Sequence, residues 1–107
     1  MLDGLLPIGS VIMLKNTPKK LMIVGIGRKE INGDKEVLWD YSAVGFPEGF
    51  MSADRTILFN NESIERVLSI GYQDEEQFEF KKKADALLKE LRAAENNAKD
   101  PATDAAE

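Results

Sequence analysis

The sequence predicts a mainly β fold of the α+β class: a small antiparallel five-stranded meander or SH3-like barrel, followed by a C-terminal α-helix. Five short apolar segments of strand length occur within the first 73 residues, and turn-forming residues separate them. Beyond residue 74 the apolar spacing changes to alternating steps of four and three, which is typical of an amphipathic helix. We therefore expect a β-rich domain at 1–73, a helix at 74–98 and a disordered tail at 99–107.

The composition excludes several classes of function. The 107 residues include no His and no Cys, so Ser-His and Cys-His nucleophile pairs, disulfides and thiolate metal sites cannot form within the chain. The formal net charge is −5, which argues against non-specific binding of nucleic acids. No apolar run approaches the roughly 20 residues that span a bilayer, and no secretory signal is recognisable. We expect a cytoplasmic protein without cofactors that is not an enzyme.

The strands are predicted from runs of apolar residues that end at turn signals. Four consecutive apolar residues in the first strand predict burial on both faces, and Pro18 in the following turn cannot donate a ladder hydrogen bond. Gly25 and Gly27 indicate bends or close backbone approach rather than a phosphate loop, because no third glycine and no helix follow them. A helical turn, capped by the side chain of Asn60 or Asn61, precedes the last strand. The predicted strands are residues 10–15, 21–27, 37–44, 56–59 and 66–72.

The second and third strands are predicted to form a β-hairpin that organises the core. Asn32 and Gly33 suit the two central positions of a type I′ turn, which both need a positive φ. Ile31 then faces Asp34, and every facing pair has residue numbers that sum to 65. One face of the third strand is bulky enough to seed the core. The residues expected on that face are Val37, Trp39, Tyr41 and Ala43, with Ile26, Val24 and Met22 facing the last three.

The predicted helix carries a narrow apolar seam. Asp74, Glu75 and Glu76 suit its first turn, since acidic side chains are favoured at the positive end of the helix dipole. A seam of this width suits another helix better than the broad surface of a sheet, which favours a docking face for a partner. Packing of the helix on this protein's own sheet is the alternative, and the pattern leaves both open. The seam residues are Phe80, Ala84, Leu87, Leu91, Ala94 and Ala98.

The loop after the third strand is a second candidate binding element. Pro47 fixes φ at the first central position of a turn that closes at Gly49, and two phenylalanines flank this turn. Aromatic and Met side chains beside a rigid turn are typical anchors of protein interfaces. The alternative is that both phenylalanines fold under the loop and plug the barrel mouth, since large aromatic side chains are usually buried. The loop residues are Phe46, Pro47, Glu48, Phe50 and Met51.

Other charged side chains are expected to have plain structural roles. Asp40, Glu48 and Asp54 invite a carboxylate-pair or metal-site interpretation, but nothing in the sequence brings them together. A solvent face or a turn accounts for each of them. The run Lys81-Lys82-Lys83 lies among acidic residues, which indicates a solvated helix face rather than a phosphate site.

A set of short segments matches the pattern of a known family over roughly residues 5–75. The most specific are Pro-Ile-Gly-Ser at 7–10 and Asp-Tyr-Ser at 40–42 with Phe-Pro-Glu-Gly at 46–49. Trp39 departs from the pattern, which has a smaller or tyrosine-like residue there. The matching segments are residues 5–11, 20–25, 39–42, 46–49 and 59–67, followed by Gly71-Tyr72. On these residues the chain resembles a small domain-of-unknown-function family that is encoded beside type VII secretion and LXG-class toxin genes in Gram-positive bacteria.

The resemblance implies a cytoplasmic accessory or chaperone protein that associates with a toxin before export, and it brings no catalytic residues. We therefore expect a non-enzymatic adaptor or chaperone whose partner is a secreted LXG-class toxin or its helical targeting region. An immunity protein that neutralises a toxin domain is the first alternative, which an acidic, His-free surface suits if the toxin is a basic nuclease. A small-barrel nucleic-acid binder is the second, and the net charge opposes it. The predicted partner-binding residues are Phe46, Pro47, Glu48, Phe50, Met51, Phe80, Leu87 and Leu91.

Overall fold

An open five-stranded antiparallel sheet and one C-terminal helix make up the fold, which confirms the predicted mainly β, α+β class. The computed structural model describes residues 4–98, so the tail predicted at 99–107 lies outside the described residues. The elements are β1 Val11–Leu14, β2 Lys20–Asn32, β3 Lys35–Gly45, β4 Ile57–Phe59, β5 Ile64–Ser69 and α1 Glu75–Ala98. Two short 3-10 turns, Ala53–Arg55 and Asn61–Ser63, flank β4.

The sheet is a meander of four strands to which the fifth strand returns. The strand order is β4-β3-β2-β1-β5, and every neighbouring pair is antiparallel. β5 therefore pairs with β1 at one edge of the sheet, and β4 forms the other edge. Within the described residues these two edges do not pair, so the sheet is open. The predicted five-stranded antiparallel sheet is confirmed, but the meander holds only for β1 to β4, and the closed SH3-like barrel is wrong.

The β2–β3 hairpin forms as predicted, but its turn lies one residue later than expected. Asn32 pairs with Lys35, so Gly33 and Asp34 occupy the two central positions. Gly33 has a φ of +69°, whereas Asp34 does not have a positive φ, which is the pattern of a type II′ turn rather than a type I′ turn. The paired residue numbers next to the turn sum to 67 instead of 65, so the predicted register is wrong by two residues.

A β-bulge at Val24 changes which side chains of β2 reach the core. Ile26 faces Tyr41 on one side of the bulge, whereas Ile23 faces Ala43 on the other, so the pairing shifts by one residue. Because side chains alternate along a strand, this shift exchanges the two faces of β2. Ile23 is thereby fully buried, and Val24, which the predicted register places in the core, is exposed.

The core is centred on β3 and Tyr41. Tyr41 and Ala43 are fully buried as predicted, and the ring of Tyr41 lies against Phe59 with 5.2 Å between the ring centroids. Trp39, predicted on the same core face, is only half-buried, and its indole Nε1 donates to Glu30 Oε1 at the surface (3.1 Å). At this point the hairpin has no third strand beside it to cover Trp39. The core consists of Leu5, Leu6, Ile12, Leu21, Ile23, Leu38, Tyr41, Ala43, Phe59, Ile64 and Leu88.

Helix α1 packs along this protein's own sheet. Leu88 is buried in the core, and Ala84 and Leu91 pack against the same core with part of their surface exposed. Leu88 lies over Gly27 of β2, where an added Cβ would stand 3.7 Å from Leu88 Cδ2. Gly27 has a φ of +69°, a conformation that glycine adopts without strain. The alternative in which the helix packs on this protein's own sheet is therefore correct for the side of the seam that contains Ala84 and Leu91.

Candidate protein-binding site

An apolar groove runs between α1 and the β2–β3 hairpin. Its central cavity has a volume of about 580 Å³, and its lining is apolar apart from two lysines. Gly27 on β2 and Ala84 on α1 are the smallest lining residues and contribute little side-chain volume, which leaves the space between helix and sheet open. The lining residues are Ile26, Gly27, Lys29, Leu38, Phe80, Lys83, Ala84, Leu87, Leu88 and Leu91.

Two smaller cavities extend this space along α1. Toward the start of the helix, a cavity of about 490 Å³ shares Ile26 and Phe80 with the central one. Toward the end of the helix, a cavity of about 220 Å³ shares Lys29, Leu38 and Leu91 with it. The three cavities are neighbours along α1, and together we call them the α1 groove. Its further lining residues are Ile8, Tyr72, Asp74, Glu76 and Gln77 at the first end and Glu36 and Ala94 at the second.

The α1 groove contains three of the predicted partner-binding residues. Phe80 and Leu87 line it with 51% and 56% of their surface exposed, whereas Leu91 is half-buried against the core. Large apolar side chains that cluster in a concave surface and stay half in water are typical of a binding site. The predicted seam therefore divides into a sheet-facing side with Ala84 and Leu91 and an open side with Phe80 and Leu87. The side chain of Ala98, at the end of the predicted seam, lies outside the described residues.

Charges are segregated along the α1 groove. Asp74 and Glu76 line its first end, where Asp74 Oδ1 also accepts a hydrogen bond from the backbone N–H of Gln77 (2.8 Å) and caps the helix. Lys29 and Lys83 line its centre. The groove is thus acidic beside the start of α1 and basic about two helical turns further along.

The loop after β3 carries the other predicted contacts, and local interactions hold it in place. The backbone N–H of Gly49 donates to the carbonyl oxygen of Gly45 (2.7 Å), and the Phe46–Pro47 peptide bond is cis. Phe46 is half-buried, and the ammonium group of Lys20 lies 5.6 Å from the centroid of its ring. The loop backbone is therefore folded on itself beside the sheet.

The tip of this loop exposes apolar side chains to water. Phe50 and Met51 are 67% and 63% exposed, so Phe50 does not fold under the loop. Phe46 is half-buried. Glu48 is exposed and pairs with Lys19 (Oε1 to Nζ, 2.7 Å). The hydrogen bond from Lys19 lowers the pKa of the Glu48 carboxyl, so this ion pair is formed at neutral pH.

A buried polar cluster joins β3, the second 3-10 turn and α1, and no sequence pattern predicts it. Asp40, expected on a solvent face or in a turn, is only 7% exposed. Its Oδ1 lies 3.0 Å from a guanidinium nitrogen of Arg92, and its Oδ2 accepts from the backbone N–H of Asn61 (2.8 Å). Asn60 Oδ1 accepts from the backbone N–H of Asp40 and from Arg92, each at 2.9 Å. The cluster fixes the second half of α1 to the sheet.

This cluster also corrects the predicted helix cap. Asn60 occupies the N-cap position of the 3-10 turn Asn61–Ser63, but it makes no side-chain hydrogen bond to the turn. Its side chain reaches across to Asp40 and Arg92 instead. The predicted capping role of Asn60 or Asn61 is therefore wrong, because buried partners on β3 and α1 take up both amide side chains.

Tyr41 extends the polar cluster toward the start of the chain. Its hydroxyl donates to Asn61 Oδ1 (2.6 Å) and accepts a hydrogen bond from the backbone N–H of Leu6 (2.9 Å). Burial raises the pKa of Tyr41 to about 12, and the negative charges of Asp40 and Asp85 act in the same direction. The phenol is therefore neutral at physiological pH, where it holds the segment around Leu6 against β3.

The three carboxylates that invite a metal-site interpretation each have another partner within the described residues. Among residues 4–98, no group of three acidic side chains is placed to hold a metal ion. Asp40 is engaged by Arg92, Glu48 by Lys19, and Asp54 by the hydroxyl of Ser52. In the same part of the chain, no helix has the length and apolarity that crossing a membrane requires.

Fold and surface together define a class of protein: a small α+β domain in which an open antiparallel sheet and a C-terminal helix enclose a half-open apolar groove. The chain belongs to the family described as Domain of unknown function (DUF4176), whose family model matches residues 5–80. No curated protein and no solved structure matches the chain. The match covers all five strands and the start of α1. Membership of a family of unknown function is thus confirmed, and the connection with toxin secretion stays a prediction.

Proposed function

We propose that this protein is a non-enzymatic adaptor or chaperone that binds a type VII-secreted, LXG-class toxin in the cytoplasm and supports its export. In this proposal a helix of the toxin's targeting region lies in the α1 groove, which keeps the apolar face of that helix out of water until delivery. The observation that carries the proposal is the half-exposed pair Phe80 and Leu87 in the apolar central cavity of the groove. The toxin and the secretion route come from the resemblance of the segments at 7–10, 40–42 and 46–49.

The dimensions and lining of the groove favour a helix as its occupant. Between Gln77 and Leu91 the groove follows α1 for about 21 Å, or four helical turns at 1.5 Å per residue, and Ala94 lies almost one turn beyond. On its helical wall, Phe80, Leu87 and Leu91 are spaced seven and four residues apart, the spacing by which helices interlock their side chains. An amphipathic helix lays its apolar face into such a groove through anchors three, four and seven positions apart.

Calorimetric titration of the full chain with the purified helical targeting region of an LXG-class toxin tests the proposal. We expect wild type to bind and Leu87→Glu to bind about 100-fold more weakly, because the helix would bury an unpaired carboxylate. Leu68→Glu on β5 is the matched control, since Leu68 is similarly exposed and lines no part of the α1 groove. We expect its affinity to stay within about twofold of wild type. Circular dichroism of both variants checks that they fold.

Two results would overturn the proposal: no binding of wild type to the targeting region, or equal binding by Leu87→Glu. Toxin secretion is the cellular readout, and we expect a strain without the protein to lose export. Wild type and Leu68→Glu should restore export, and Leu87→Glu should not. Protection of cells from the isolated toxin domain, without binding to the targeting region, would instead identify an immunity protein.

A further inference from the structure

We infer that the α1 groove selects its helix by the order of charges. The bound helix carries a basic residue opposite Asp74 and Glu76 and, about seven residues away along the helix, an acidic residue opposite Lys83. The inference rests on the proposed function, since it takes the occupant of the groove to be a helix. It names the chemistry of that helix, which an apolar lining alone does not specify.

The first end of the groove is suited to a cation. Asp74 and Glu76 line it together, and among the described residues neither carboxylate has a cationic partner. Gln77 lines the same end of the groove as the two carboxylates. Its side-chain Oε1 is buried and has no hydrogen-bond donor in residues 4–98. A guanidinium or ammonium group at this end would pair with the two carboxylates and is the strong donor type that this amide oxygen lacks.

The centre of the groove is suited to an anion. Lys83 lies on α1 and Lys29 on β2, so the two lysines line the same cavity from opposite walls. Lys29 Nζ is 3.8 Å from Glu36 Oε1, which leaves Lys83 as the groove lysine with no ion pair in the described residues. A carboxylate on the bound helix would lie between two cations and beside apolar walls, where its attraction is screened less than in water.

The spacing of the two charged regions matches one flank of a helix. Glu76 and Lys83 are seven residues apart on α1, which is two turns or about 10 Å. Residues seven apart on the bound helix lie on one flank of its apolar stripe, so one basic and one acidic residue can face both regions at once. A helix with two like charges at these positions would place one of them against a like charge, which disfavours it as a partner.

Two synthetic peptides of about 18 residues, long enough for the four turns of the groove, test the inference by fluorescence anisotropy. Both carry the same Leu and Ala stripe and one Arg, and seven residues further the first has Glu and the second has Lys. We expect wild type to bind the Arg/Glu peptide about 5- to 10-fold more tightly than the Arg/Lys peptide at low salt. Lys83→Glu should reverse this preference. These two peptides test a helix that runs parallel to α1, and a second pair with Glu or Lys seven residues before the Arg tests an antiparallel helix, so the preference is expected in one of the two pairs.

Lys82→Glu is the matched control, since Lys82 is the exposed neighbour of Lys83 and lines no part of the α1 groove. We expect it to keep the wild-type preference, and we expect the preference to shrink at about 1 M salt. Equal binding within both pairs of peptides by wild type, an unchanged preference in Lys83→Glu, or binding of none of the peptides would overturn the inference. The proposed function would survive all three results as long as the toxin's targeting region binds, and it would fail separately if that region does not.

Discussion

The α1 groove and the loop after β3 both expose large apolar side chains, but they are built in different ways. The loop places Phe50 and Met51 side by side in the sequence, and contacts within the loop, such as the hydrogen bond from the backbone N–H of Gly49 to the carbonyl oxygen of Gly45, hold it. The groove exists only because α1 returns to the sheet and leaves Phe80 and Leu87 at the open side of the contact. One surface is therefore a property of a short segment, and the other is a property of the whole fold.

The two surfaces are also far apart along the sheet. Leu38 lines the groove and Gly45 begins the loop, and these residues are seven positions apart on β3, which is about 23 Å along an extended strand. A single helix of four turns in the groove would not reach the loop as well. A larger targeting region with more than one helix could contact both surfaces, so the length of the partner decides whether the loop takes part.

The largest expected effect on stability comes from removing Asp40, the centre of the polar cluster that fixes α1 to the sheet. We expect Asp40→Ala to lower the free energy of unfolding by about 3 kcal/mol, because it leaves Arg92 without its carboxylate and the backbone N–H of Asn61 without its acceptor. Urea unfolding followed by circular dichroism measures this change. Asp54→Ala, at an exposed acidic residue near the loop, is the control, and we expect it to change stability by less than about 0.5 kcal/mol. A loss below about 1 kcal/mol for Asp40→Ala would mean that the cluster does not hold α1 in place.

A smaller effect, with its own pH dependence, is expected at Tyr41. Its pKa is about 12 in the folded chain and 10.0 as the ordinary value, so the fold favours the neutral phenol. The contribution to stability is complete below pH 10 and is lost as the pH rises to 12, by about 2.7 kcal/mol. We expect Tyr41→Phe to cost about 2 kcal/mol at pH 7, since the backbone N–H of Leu6 loses its acceptor.

The free energy of unfolding of Tyr41→Phe should therefore approach that of wild type in alkaline solution. Lysine titration affects both chains equally, so the difference between their urea-unfolding curves isolates the phenol. We expect that difference to narrow between pH 10 and pH 12. A difference that stays constant over this range would show that Tyr41 ionises at its ordinary pKa.

Elements fixed by local chemistry are the ones that the sequence predicts. The Asn-Gly pair at 32–33 predicts a tight hairpin there, and the alternation in β3 predicts that Tyr41 and Ala43 are buried. The register fails because Gly33 satisfies either a type I′ or a type II′ turn, and only the folded hairpin decides between them. The bulge at Val24 depends on how β2 bends to meet both β1 and β3, which no pattern within β2 records.

In the candidate site, too, the sequence predicts the features set by local periodicity and misses those set by the whole fold. Periodicity identifies Phe80, Leu87 and Leu91 as a seam, but which of them faces the sheet depends on the rotation of α1, and Leu88 beside the seam becomes the core residue. Asp40 is the clearest example of a buried cluster residue that the sequence pattern does not identify. A carboxylate between Trp39 and Tyr41 in a strand indicates a buried partner, but that partner, Arg92, lies 52 residues away on another element.

The smallest expected effect on binding affinity is at the loop. Its measurement decides whether the loop is a partner contact in addition to the α1 groove. We expect Phe50→Ser to leave the affinity for a single four-turn helix within about twofold, because the loop lies beyond its reach. The same variant should weaken binding of the whole targeting region about 10-fold if the loop is a second contact, as expected for loss of an aromatic anchor. Ile31→Ser, at an exposed apolar residue near the hairpin turn, is the control for both titrations.

Each outcome of this last experiment changes the description of the partner-binding surface. If Phe50→Ser weakens the single helix as strongly as Leu87→Glu does, the groove and the loop act as one continuous surface and the estimate of about 23 Å between them is misleading. If it weakens neither ligand, the predicted partner contact of Phe50 is wrong. Binding would then depend on the α1 groove and not on the aromatic side chain at the tip of the loop.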